Sequence, residues 1–113
     1  MPVLRCTFGL DRGDAALNRP ALVLRPEEMA ELDAPWLRAA APGLATILEA
    51  GDVAIGAGQL PVLRAELRGV LEAVGAADLP ERLVVALALQ RLDSACAIAQ
   101  EFGFNLYVSV VDG

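Results

Sequence analysis

Apolar and polar positions along the chain follow two periods, one of about two residues at the ends and one of about 3.6 between them. Residues 3–10, VLRCTFGL, put Leu4, Cys6, Phe8 and Leu10 on one side and Val3, Arg5, Thr7 and Gly9 on the other, which predicts a half-buried strand. At the other end Phe104, Leu106, Val108 and Val110 alternate with Asn105, Tyr107, Ser109 and Val111, a second one-sided strand. Ala21 to Arg25 predicts a short strand able to pair with the first. The intervening DRGDAALNRP carries Asp, Gly, Asn and Pro and reads as a loop.

The 3.6 period begins at Pro26, where a fixed φ and a missing N–H suit a first helical turn and Glu27 and Glu28 meet the positive end of the helix dipole. A short helix to about Asp33 follows, then a helical stretch from Pro35 to Glu49 that Pro42-Gly43 must kink or split, with Gly51 just past its end. Val53 to Ile55 predicts a strand fragment. From Gln59 to Val74 the spacing of Leu60, Leu63, Leu67, Val70, Leu71 and Val74 predicts an amphipathic helix closed by Gly75. The longest element is expected from Leu79 to Gly103, with Asp78 as N-cap. At about 100° per residue its polar members gather within roughly a third of the circumference, and the remaining arc, Val84, Leu87, Ile98 and Phe102 included, is expected to contact a sheet on one flank and helices on another. Arg91 is the charged exception within that arc.

Terminal strands with helices between them predict an α+β fold: a small two-layer domain with a two- to four-stranded antiparallel or mixed sheet that includes the N- and C-terminal strands. Two or three helices cover one face of it. The chain of 113 residues is read as a single domain over 1–113, large enough to hold one core without metal or disulfide staples.

Composition narrows the chemistry. The nine basic residues are all Arg, and His and Lys are absent, so there is no side chain with an unperturbed pKa near neutrality, no Schiff-base lysine and no P-loop lysine. The hydroxyls are confined to Thr7, Thr46, Ser94 and Ser109, none in a GxSxG setting. Cys6 and Cys96 are expected to be buried free thiols, and with no His the metal ligands reduce to carboxylates, so neither a metal, a cofactor nor a catalytic residue is expected. A net charge of −6 opposes binding to nucleic acid. The longest clean apolar run, Leu83 to Leu89, falls short of the roughly 18 residues a bilayer needs, so no membrane span is expected. Without a signal-like N-terminus the default expectation is a cytoplasmic, bacterial-type protein.

Four features carry functional readings beside plainer ones. VAIGAGQLP resembles the opening of a dinucleotide fingerprint, but Pro61 stands where the third Gly belongs; Gly56, Gly58 and Gln59 with Arg91 form a candidate anion site, against flexible glycines at a helix start and an Arg whose head reaches water. Glu27, Glu28, Glu31 and Asp33 are either a solvated helix face or an acidic docking surface for a basic protein partner. Arg5, Thr7, Asn105, Tyr107 and Ser109 fall on the uncovered sheet face, which is either solvated or the seat of a partner or second protomer. Arg12-Gly13-Asp14 is read as a turn. The expected function is therefore an acidic, non-catalytic protein-binding domain, such as an immunity or inhibitor protein, an adaptor or an assembly subunit. The alternative is a small-molecule or anion-binding domain, with or without enzymatic activity.

Overall fold

A computed structural model describes residues 1–77 and 80–112. The expected N-cap Asp78 and helix start Leu79 lie outside the described residues. In chain order the elements are β1 (Pro2–Gly9), α1 (Arg12–Leu17), β2 (Leu22–Leu24), α2 (Pro26–Leu32), α3 (Pro35–Ala40), α4 (Pro42–Ala50), β3 (Asp52–Ile55) and α5 (Leu60–Ala77). A 3-10 turn (Pro80–Arg82), α6 (Leu83–Phe102) and β4 (Asn105–Asp112) complete the chain.

The fold is α+β, with a four-stranded antiparallel sheet in the order β2-β1-β4-β3. The two long terminal strands are its centre, paired from Pro2 opposite Asp112 to Gly9 opposite Asn105, and the short strands are its edges. This register places Leu4, Cys6, Leu106 and Val108 together on one face, each fully or almost fully buried. Across that face runs α6, touching β4 and β2; α2 reaches β1, α4 reaches β3, and α5 packs along α6.

Three expectations change. The predicted loop after β1 contains α1, because its Asp and Asn residues act as caps: Asp11 accepts from the Asp14 amide at 2.7 Å, Asp14 accepts from the Leu10 amide at 2.7 Å, and Asn18 Nδ2 donates to Phe8 O at 2.8 Å. This helix lies on the opposite sheet face from the others, seated on Gly9, where an added Cβ would come within 2.7 Å of the Ala15 nitrogen. Second, α5 runs through Gly75 to Ala77, since burial of Val70 and Val74 outweighs a glycine penalty of about 1 kcal/mol. Third, the arc of α6 expected to be wholly in contact is only partly so. Val85, Ala88, Leu89, Leu92, Ala95, Cys96 and Ala99 are buried, whereas Val84, Leu87, Ile98 and Phe102 of that arc, and Leu83 beside it, keep between 44% and 65% exposure.

The Pro42-Gly43 break divides α3 from α4 at Ala41, and Gly51 and Gly103 end α4 and α6 at φ values of 75° and 72°, a region that favours glycine. Length and composition alone would let Pro80–Phe102 cross a membrane, although in this domain one whole side of it is packed in the core.

Candidate functional site

Glu28 comes from the first turn of α2, and the sequence offers it as part of an acidic surface. It is instead buried, with 7% exposure, so the acidic surface of α2 is reduced to Glu27 and Glu31. One carboxylate oxygen of Glu28 accepts from the Arg25 amide at 3.2 Å, and the other accepts from Arg91 Nη1 at 2.9 Å. Desolvation pushes the carboxyl upward, but the Arg25 amide and the Arg91 charge outweigh it and hold the group below its ordinary value. Arg91 Nη2 donates to Val23 O at 3.0 Å on edge strand β2. The charge that stood inside the apolar arc of α6 thus ties α6, α2 and β2 together. Asp33, the last of the acidic set, pairs with Arg38, which also reaches Glu49 at 3.4 Å.

The sheet register brings Arg5, Thr7, Tyr107 and Ser109 onto one face, with Arg5 opposite Ser109 and Thr7 opposite Tyr107. Asn105 stands at the end of that face opposite Gly9 and donates to Leu10 O at 3.2 Å. This face is partly occupied from within: Arg12 of α1 lies 5.6 Å over the Tyr107 ring and pairs with Asp52 at 3.3 Å.

Gly56, Gly58 and Gln59 lie at the start of α5, by edge strand β3, while Arg91 is anchored to β2 at the other edge of the sheet, so the structure does not join them in one site. The free amides of this helix start are also engaged: Gln59 and Leu60 donate to Gly56 O, and the Gly56 amide donates to Gln59 Oε1 at 3.2 Å. Beside it lies a groove of about 440 Å³ between α4, β3 and α5, walled by Ile47, Val53, Ile55, Val62 and Leu63. The charge in its wall is Glu66, which already accepts from the Gly43 and Leu44 amides at 2.9 and 3.1 Å and so caps α4 from across the fold.

One unpartnered apolar surface lies mostly within the arc that the sequence reading assigns to the core. Leu83, Val84, Leu87, Ile98 and Phe102 share a sector of α6 about 100° wide, separate from its buried side. At the helix C-terminus this stripe meets an aromatic corner that holds all three phenylalanines of the chain: Phe104 stacks on Phe8 at 6.2 Å between ring centroids, and Phe102 leans on Phe104 at 6.5 Å. The signal was the width of the arc itself, because two-thirds of a helix circumference is more than one sheet and one neighbouring helix can cover.

Reactive chemistry is sparse. Burial pushes both thiols up to about 12, for Cys6 with the neighbouring Cys96 contributing and for Cys96 with Asp93 contributing, so both stay protonated at neutral pH. Among the described residues no group of three or more Cys, Asp or Glu side chains is placed to hold a metal ion. No protein-family model matches the chain, and no curated protein or solved structure matches it.

Proposed function

We propose that this domain works by associating with protein through the outer face of α6 and the adjoining aromatic corner, without catalysis of its own. The observation that carries the reading is the stripe of Leu83, Val84, Leu87, Ile98 and Phe102, continued by Phe8 and Phe104. Exposed apolar side chains grouped this way cost solubility unless a partner covers them, and aromatic anchors are the side chains that dominate interface energies. An immunity or inhibitor protein, an adaptor and an assembly subunit would each use such a face. Glu27 and Glu31 on α2 supply acidic charge that would steer a basic partner rather than hold it.

A pull-down at 50 mM and 1 M salt separates apolar docking from acidic docking, since screening weakens only the second. Partner retention at both salts, lost in Ile98→Glu and kept in Glu27→Gln, is the expected result. Retention that disappears in high salt and ignores Ile98→Glu would move the site to α2.

The groove of about 440 Å³ beside β3 favours a second reading, as a pocket for a small, mainly apolar ligand, because its volume lies in the usual range for such sites. A thermal-shift screen of apolar metabolites tests it: a ligand at 100 times its Kd adds about 2.7 kcal/mol of stability. Val62→Glu, at an exposed position in the groove wall, should abolish that shift.

A further inference from the structure

The geometry points to a second copy of this chain as the occupant of the α6 stripe, joined in antiparallel fashion about a two-fold axis between Leu92 and Asp93. This deepens the association reading above and rests on it. In a two-fold interface residue i meets residue j and j meets i, so a surface suited to it must read the same from both ends. In an antiparallel helix pair centred between Leu92 and Asp93, the facing positions are those whose numbers are equally distant from that centre. Four of the exposed apolar residues of α6 obey this rule, whereas Gln90 and Gln100, on its polar side, do not. Leu87 falls opposite the partner's Ile98, Leu83 opposite the partner's Phe102, and near the axis Arg91 falls opposite the partner's Ser94, whose small side chain leaves room for the guanidinium. Val84 meets the partner's Glu101 at the outer margin, where the carboxylate stays in water. Four of the five exposed apolar side chains of the helix therefore find apolar counterparts.

Net charge opposes self-association, since two copies each carrying −6 repel over most of their surface, so the contact must rest on the apolar pairs; Arg91 near the axis is balanced by Glu28 at 2.9 Å within its own copy. Oppositely directed helices place each dipole's positive end beside the other's negative end. The open sheet face is a poorer seat for a second copy, because α1 and the Arg12–Tyr107 stack already occupy part of it.

Sedimentation equilibrium from 10 µM to 1 mM tests the association. A mass rising from 11.8 kDa to twice that value is expected. Leu87→Glu and Ile98→Glu should each weaken the dimer at least 100-fold without changing the circular dichroism spectrum, whereas Tyr107→Glu should leave it intact. A monomer at 1 mM overturns the inference; a monomer that still retains a different protein through Ile98 leaves the broader association reading standing. Loss of the dimer in Tyr107→Glu but not in Leu87→Glu overturns it as well.

Cysteine pairing tests the direction without relying on a destabilising charge. Leu87→Cys mixed with Ile98→Cys should form a mixed disulfide on oxidation, while each variant alone should not, since two copies of position 87 would stand about 16 Å apart along the helices. The native Cys6 and Cys96 are fully buried and do not compete. Self-linking of Leu87→Cys alone would mean parallel helices and would refute the proposed arrangement.

Discussion

Glu28 shows how a single side chain can change roles between sequence and fold. A carboxylate in the first turn of a helix is ordinarily a solvated dipole partner, yet here it accepts from the Arg25 amide and from the Arg91 guanidinium while nearly out of water. Removing either partner of a buried pair leaves an uncompensated group, which costs more than the pair contributes. With the Arg91 side chain still 48% exposed, the loss is tempered by water: Glu28→Gln should cost about 2 kcal/mol in urea denaturation. Glu28→Gln combined with Arg91→Met should cost less than the sum of the two, with a coupling of about 1 kcal/mol. Strict additivity would show that the two side chains do not interact. The thiols make a second residue-scale case. Held protonated by burial, Cys6 and Cys96 should resist a neutral thiol reagent in the folded protein and react fully in 6 M guanidinium; rapid labelling of native protein would contradict their burial.

At the scale of elements, ends matter as much as interiors. α4 begins with a proline and has no side-chain cap of its own, and its Gly43 and Leu44 amides are met by Glu66 from α5. Glu66→Ala should therefore cost about 1–2 kcal/mol, the usual scale for a lost cap, with hydrogen exchange rising first in α4. No loss of stability would mean that water caps this helix equally well. The helix α1 depends on an absence, the missing side chain of Gly9; Gly9→Ala must push α1 outward and should cost about 1–3 kcal/mol, releasing the Arg12 stack on Tyr107. These two helices also mark what could be read beforehand. Alternation in residues 3–10 and 104–111 was enough to find the central strands and the face carrying Arg5, Thr7, Tyr107 and Ser109, because period two leaves little choice of side. α1 escaped notice because Asp and Asn serve caps and turns alike, and local sequence does not distinguish them. Glu28 and Arg91 are 63 positions apart, so their pairing belongs to the tertiary fold, and no local period reports it. The stripe on α6 was missed, since the whole arc was expected to be in contact, and only the positions of the sheet and the neighbouring helices decide which part of the arc stays outside.

For the whole molecule, the absence of His shapes how stability responds to pH. A group whose pKa falls on folding stabilises the native state above its unfolded pKa, and that support disappears as the pH drops through the folded value. Glu28 behaves in this way, so its contribution is complete above about pH 4.5 and fades below it. The thiols have the opposite sign: ionisation is easier in the unfolded chain, near 9, than in the fold, near 12, so rising pH draws the equilibrium toward unfolding across that interval. No side chain has an ordinary pKa between these two limbs. Chemical denaturation should therefore give a stability plateau from about pH 5.5 to 8.5, falling on both sides. Replacing Cys96 with Ala should weaken the alkaline limb, Cys6 supplying what remains, while leaving the acid limb in place, and Glu28→Gln should weaken the acid limb alone. A stability maximum confined to one narrow pH within that range would require a titrating group that this fold does not explain, and would overturn the assignment of the two limbs to Glu28 and the buried thiols.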